Sequence, residues 1–442
     1  MIVDVSSSMP DSQPKIGREP PAQQDGPRLL LLSTTTGYQA QAFREAARKI
    51  GALLVLASDR CHVLEDPWHD RAIPVRFENP EESARRIVEF ARANPIQGLA
   101  AIGDPPTLTA ALVARDLGLA YHPVEAVECC RDKFKMRERC RAAGLPSPWY
   151  RRWRVNEDPA AAVRAVSFPC VLKPLGLSAS RGVIRADNAA EFQAAFRRIA
   201  ALLRSPEIRK GREESAEWIQ VEGYIPGCEV ALEGILTHGR LRVLAVFDKP
   251  DPLEGPYFEE TIYITPSRLS GAALEAIHAS LHAAVEAVGL RHGPLHAELR
   301  VNDGGAWVLE MAARPIGGLC ARALRFGGGI GLEELILRHA LGEPVGDLPR
   351  EKAASGVMMI PIPREGFLER VENVRLAEAV PGIEHVEITA KERQRLIPLP
   401  EGASYLGFLF ARAESSELVE AALREAHRRL RFVISPSLPV VR

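Results

Sequence analysis

Apolar and polar positions first become regular at Arg28. Residues 29–32 are an unbroken apolar run, followed by a polar turn and a helix-spaced stretch over 41–50. Residues 53–57 give a second strand, 80–93 a helix, 99–102 a strand and 107–117 a helix. Strands alternating with helices predict a parallel α/β sheet. Residues 132–143 are helical in spacing, with Met136, Cys140 and Ala143 on one side, and Gly144 and Pro146 stop the helix. Strands follow at 170–173 and 219–222, with a helix over 190–204 between them. The charged, turn-rich stretch 205–216 is read as a mobile connection. After Pro256 an irregular loop leads to a helix over 272–288 and a hairpin, 296–301 with 306–311. From about residue 355 the pattern is strand-rich, with one last helix over 416–430, and reads as a separate α+β unit.

The expected fold is therefore α/β and α+β multidomain. A tail over 1–27, rich in Pro, Ser, Gln and Asp without apolar period, is expected to be disordered. An N-terminal α/β domain covers 28–125, a central domain 126–345 and a strand-rich C-terminal unit 355–442. The chain of 442 residues is too long for one core, and its 46% apolar content can fill several. The net charge of −1, with charges spread along the chain, gives no nucleic-acid footprint. Seven cysteines without a CxxC pair read as reduced thiols. There is no signal-peptide pattern and no apolar run long enough to span a bilayer, so a cytoplasmic location is expected.

Three segments carry candidate chemistry. In the hairpin, Asn302-Asp303-Gly304-Gly305 is a strong turn signal. A three-residue loop, 303–305, would set Glu298 directly opposite Glu310. Two facing carboxylates destabilise a ladder unless compensated, and a divalent cation such as Mg²⁺ suits oxygen ligands; a solvated surface pair is the alternative. His292 and His296 beside Glu298 match no standard zinc spacing. Second, Lys173 ends an apolar strand and is followed by small residues, among them Gly176, Ser178, Ser180 and Gly182. Such a loop lets backbone N–H groups approach phosphate oxygens, and the lysine adds a point charge; alone, it is equally a plain turn. Third, Glu222-Gly223-Tyr224-Ile225-Pro226-Gly227-Cys228-Glu229 is a strand end running into a bend. It offers backbone groups for an adenine edge and a carboxylate for ribose, or is simply a connection.

The order of these segments, opened by Asp132-Lys133 and a helix ending in Gly144-Leu145-Pro146-Ser147-Pro148, resembles the ATP-grasp superfamily. The resemblance runs over roughly 29–435. It implies that Lys133 and Lys173 contact ATP phosphates and that the 176–182 loop closes over them. It further implies that Glu222, Tyr224 and Ile225 belong to the adenine hinge and that Glu229 holds ribose. By the same resemblance Glu298 and Glu310 bind Mg²⁺ or Mn²⁺, and Arg314 steadies the transferring phosphoryl group. Most members read E-x-N-x-R; here the third metal donor's position is Ala312, as in some amino-acid ligases. The terminal segment, with Ile360-Pro361-Ile362-Pro363-Arg364 and Ser404-Tyr405-Leu406-Gly407, is similar to the C-terminal domain of L-amino-acid ligases.

That branch implies a carboxylate–amine ligase working through an acyl phosphate, with an L-amino acid as acyl donor. Members often carry E-T-G-H where this chain has Glu260-Thr261-Ile262-Tyr263. Glu260 matches the glutamate that meets the substrate's amino group, Tyr263 replaces the histidine, and Gly318 joins the substrate side. The expected partners are a small carboxylic acid and an amine, with neither nucleic acid nor membrane; a homodimer is compatible. Two rivals share the nucleotide site: a biotin-carboxylase-like enzyme, distinguished by bicarbonate dependence, and a nucleotide-binding regulator without turnover, distinguished by absence of ADP release.

Overall fold

The computed structural model describes residues 26–34, 38–59, 72–211, 213–346 and 348–436. The expected tail lies outside these residues apart from its last two, and Cys61 lies outside them as well. The N-terminal unit is a four-stranded sheet of β1 (Arg28–Ser33), β2 (Leu53–Ser58), β3 (Ala72–Pro74) and β4 (Gly98–Ile102), in the order β3-β2-β1-β4. Its strand pairs are parallel. The unbroken leucine run has a simple cause. Side chains alternate along a strand, so Leu29 and Leu31 enter one core while Leu30 and Leu32 enter another, and all four are fully buried. Helices α1 (Tyr38–Lys49), α2 (Pro80–Ala93) and α3 (Pro105–Leu117) flank the sheet. The three-residue β3 and the short α4 (Val124–Cys130) escaped the periodicity reading because neither is long enough to show a period.

Helix α5 (Lys133–Ala142) begins one residue later than expected because Asp132 is its cap: the carboxylate accepts from the N–H groups of Phe134 and Lys135. The cap thereby fixes Lys133 in the first turn. Beyond α5, β5 (Tyr150–Arg154), β6 (Cys170–Pro174), β7 (Ile184–Ala186) and β8 (Trp218–Gly223) form a small sheet in the order β5-β8-β6-β7. The helix Ala189–Leu203 packs its apolar face on it. The stretch 205–216, read as a mobile connection, instead contains the short helix Pro206–Arg209, and Glu213 pairs with Arg131 at 2.7 Å.

The largest sheet has eight strands. Five are β9 (Cys228–Thr237), β10 (Arg240–Asp248), β11 (Ile262–Thr265), β12 (Gly293–Asn302) and β13 (Gly305–Ala312). The order is β13-β12-β9-β10-β11, and beyond β11 the sheet continues into Ala354–Ile360, Gly407–Ala413 and Ile383–Ile388. The C-terminal strands thus extend the central sheet rather than standing apart from it. The N-terminal and central units also share a core: Leu30, Val55 and Leu99 belong to the same apolar cluster as Leu232, Leu295 and Met311.

The hairpin reaches its expected pairing by a different route. Asn302 pairs with Gly305, so the loop is the two residues Asp303 and Gly304. A bulge between Glu298 and Leu299 on the register then adds one residue on β13, and Glu298 stands opposite Glu310 after all. Among the described residues no helix is long and apolar enough to cross a membrane, and the six cysteines form no disulfide.

Candidate active site

A cavity of about 410 Å³ opens where the three units meet. Fourteen of the sixteen expected site residues line it: Lys133, Lys173, Ser178, Ser180, Glu222, Tyr224, Ile225, Glu229, Glu260, Tyr263, Glu298, Glu310, Arg314 and Gly318. Gly176 and Gly182 do not. A side chain at Gly176 would meet Ser215 Oγ at 2.8 Å, and Gly182, at φ +74°, would drive one into the Pro174 ring. Gly176 is small because the 213–215 segment packs against it, and Gly182 because Pro174 and Leu202 do. The loop is also tied to the C-terminal unit: the Gly182 N–H donates to Pro400 O (2.8 Å) and Arg181 Nε to Glu401 O (2.7 Å).

The cavity floor is a network of paired charges. Arg137, fully buried on α5, grips Glu222 with Nε (2.9 Å) and Nη2 (3.1 Å), while Lys173 Nζ and Gln220 Nε2 also donate to the same carboxylate. The side chain of Glu222 is thus fully engaged. Along the hinge the Gly223 N–H donates to Trp149 O, the Tyr224 N–H donates to Pro169 O and Ile225 O accepts from Arg300, which leaves Tyr224 O and the Ile225 N–H without a backbone partner among the described residues. Burial disfavours its charge, yet the two cations hold its carboxyl well below the usual range. Lys133 Nζ donates to Leu177 O (2.7 Å) and lies 3.1 Å from Glu310.

At the other end, Lys249 Nζ sits among three carboxylates: Glu229 at 2.8 Å, Glu260 in direct contact and Glu298 at 3.4 Å. Arg300 Nε takes the second oxygen of Glu229 (2.9 Å), and its Nη1 donates to Ile225 O (2.7 Å). Tyr263 OH donates to Glu260 Oε2 (2.8 Å). Burial and the neighbouring Glu298 push Glu260 up to about 7, with Lys249 opposing. For Glu298 burial works against the charge, but Lys249 and His296 hold it well below the usual range. His296 Nδ1 in turn pairs with buried Glu233; burial opposes its charge, and the Glu233 carboxylate raises it to about 9.

Arg314 is oriented by a residue 210 positions earlier. Asp104, just past β4, meets it bidentately, Oδ1 to Nε at 2.8 Å and Oδ2 to Nη2 at 3.0 Å. The N-terminal sheet therefore reaches the site through the carboxyl end of its edge strand, the usual place for function in such sheets.

The carboxylates fit a hard divalent cation. Ligand atoms of Glu229, Glu260 and Glu298 lie within 4.8 Å of one another, and Lys249 sits closer to Glu229 and Glu260 than to Glu298. Glu229 and Glu260 are 8% and 12% exposed, whereas Glu298 and Glu310 are 23% and 26% exposed and open to the cavity. A cation arriving from solution therefore reaches Glu298 and Glu310 first. Ala312 supplies no third side-chain donor and is buried beside them.

Sequence reasoning missed Asp104, Arg137, Lys249 and Glu233; strand alternation does set His296 and Arg300 on the face of Glu298, but gave them no role. Lys249 carried a usable signal: it follows an apolar strand and precedes Pro250, as Lys173 precedes Pro174.

Comparison with known proteins matches three successive stretches of the chain. The ATP-grasp N-terminal domain matches residues 44–120, the ATP-grasp domain 166–323 and L-amino acid ligase C-terminal domain 2 residues 358–435. Alanine–anticapsin ligase of Bacillus subtilis is 28% identical over 284 residues, 61% of this chain and 59% of that one. Carnosine synthase 1 of Gallus gallus is 29% identical over 317 residues, 66% of this chain and 33% of that one. The chain thus spans less than two thirds of these relatives' length. The crystal structure of an L-amino acid ligase from Bacillus licheniformis superposes with a TM-score of 0.77 at 25% identity, covering 93% of this chain and 99% of that one.

Proposed function

We propose that this chain, a member of the ATP-grasp superfamily with an L-amino acid ligase C-terminal domain, is an ATP-dependent carboxylate–amine ligase. Its acyl donor is an L-amino acid, activated as the acyl phosphate and then joined to an amine. The observation that carries this reading is the convergence of Lys133, Lys173, Arg314, Glu298, Glu310 and Glu260, from separate elements of the central unit, on one cavity that Asp104 and Tyr405 of the flanking units help to line.

In the first step a carboxylate oxygen attacks the γ-phosphorus and the bond to ADP breaks. Lys133 and Lys173 hold phosphate oxygens as fixed charges in a site shielded from water. Arg314, pre-set by Asp104, faces the group in transfer. Mg²⁺ or Mn²⁺ held by Glu298 and Glu310 would neutralise phosphate charge. In the second step the amine nitrogen attacks the acyl carbon, phosphate leaves and the nitrogen gives up a proton. The loop around Ser178 and Ser180 covers the intermediate, which would otherwise hydrolyse. Glu229 receives ribose hydroxyls, residues 223–225 the adenine edge, and Glu260 the amino group of the acyl donor, beside Tyr263 and Gly318.

A phosphate-release screen over acid and amine pairs, with product masses recorded, tests the reading. ADP, phosphate and an amide are expected; AMP with pyrophosphate would overturn it.

A further inference from the structure

The chain's net charge of −1 conceals a strongly basic segment: residues 131–166 hold ten Lys and Arg against four Asp and Glu. Much of that charge is exposed on α5 and β5. Lys135, Arg139, Arg151, Arg152 and Arg154 are all exposed, and among the described residues none makes an ion pair. Most cations in the central cavity are, by contrast, paired.

This basic surface borders a free sheet edge. β5 pairs only with β8. The Gly223 N–H donates to Trp149 O and the Val155 N–H to Glu217 O, so odd-numbered residues direct their backbone groups at β8. The even-numbered ones, Tyr150, Arg152 and Arg154, direct theirs outward. The Arg154 N–H is taken by Glu157; those of Tyr150 and Arg152 face the open side. A groove runs along this edge, lined from both faces of the strand by Tyr150, Arg151, Arg152 and Trp153, and by Phe134 and Arg141 of α5.

The guanidiniums are held flat. Arg152 lies 4.5 Å from the Phe134 ring and 4.4 Å from Trp218, and Arg154 lies 4.6 Å from Trp218. Stacking fixes their orientation and leaves their N–H edges unsatisfied. Arg152 and Arg154 are two residues apart on one face, the repeat at which a paired strand presents alternate side chains.

We propose that this edge is a docking strip for an extended acidic segment of a partner protein, which adds to β5 as a further strand and sets alternate carboxylates against Arg152 and Arg154. A second copy of this edge is disfavoured, since arginines would face arginines. A nucleic acid would make no use of the outward backbone groups, and the rings it would stack on are already covered by arginine.

The test uses the full chain and labelled synthetic peptides. A short peptide alternating Glu and Val should bind saturably and weaken with salt. The same peptide N-methylated on alternate backbone nitrogens should bind at least about tenfold more weakly, because charge remains while the ladder is lost. The double change R152E/R154E should weaken binding by a similar factor while the chain stays cooperatively folded, its thermal midpoint lowered only slightly by the lost ring contacts. Three results overturn the proposal: no binding of the Glu–Val peptide at low salt, equal binding of its N-methylated form, or tighter binding of a single-stranded oligonucleotide of equal charge.

Discussion

Lys173 and Lys249 stand in the same local setting, each at the end of an apolar strand and before a proline, and both are buried. Their electrostatic fates are opposite. At Lys173 burial disfavours the charge, Glu222 opposes that, and Arg137 and Lys133 add to it, so the ammonium is held below its ordinary range. At Lys249 burial is outweighed by Glu229, Glu260 and Glu298, and the ammonium is held well above. The cavity is thus polarised. One end gathers Arg137, Lys173 and Lys133 around Glu222, with Glu310 beside Lys133, and the other gathers Glu229, Glu260 and Glu298 around Lys249, with Arg300 and His296 at its margin. An entering phosphate group finds excess positive charge at the first end; a substrate ammonium or a metal ion finds excess negative charge at the second.

The sharpest way to break this comparison is to remove each lysine. Lys249→Met removes the buried cation that three half-buried carboxylates share and should destabilise the fold by about 3–5 kcal/mol, measured by chemical denaturation. Lys173→Met leaves Glu222 still held by Arg137 and Gln220. It should change stability much less while lowering kcat by roughly 10²–10³. If Lys173→Met unfolds the chain as readily as Lys249→Met, the two ends are not distinct in the way described.

A smaller change sharpens the second end. Glu260→Gln removes a charge that a substrate ammonium would meet. A hydrogen bond to a charged group is worth about 1.5–3 kcal/mol, so the KM for the amino acid should rise roughly 10- to 100-fold. The KM for ATP, governed by the first end, should move little. Equal shifts in both would show that Glu260 acts through the whole network rather than on the substrate.

Much of this was legible in the sequence, for identifiable reasons. Local patterns gave the strands and helices because each had a period or a cap, as at Asp132. The opposition of Glu298 and Glu310 was reached from a loop count one residue too long, which the bulge on β13 cancels; bulges leave no periodic trace. The pairing of Arg314 with Asp104 joins residues 210 positions apart and depends on how two sheets pack, which no local pattern records. Lys249 was legible by the rule that found Lys173 and was passed over because no small-residue loop follows it. The basic surface on β5 was hidden by summing charge over the whole chain.

The smallest effect concerns pH and sets the carboxylate-rich end against a histidine cluster outside the cavity. His339 is buried, stacks on His292 at 4.1 Å and is lowered to about 4 by burial and by neighbouring histidines. Its folded pKa lies below the unfolded value of 6.5, so it contributes stability above that value that is lost as pH falls toward 4. Glu260 is shifted the other way: raised to about 7 from 4.5, it binds its proton more tightly in the folded chain, so acidification through that window stabilises. Between pH 7.5 and 5.5 the two oppose each other, and the wild-type slope alone is uninformative. Variants separate them. His339→Gln should remove about 1.4 kcal/mol of acid loss at pH 5.5, one pH unit below the unfolded value, leaving the variant relatively more stable at the acid end. Glu260→Gln should steepen the acid loss, because the opposing gain is gone. Denaturant midpoints at the two pH values measure both. A Glu260→Gln slope equal to the wild-type slope would mean that Glu260 does not change charge between the two pH values.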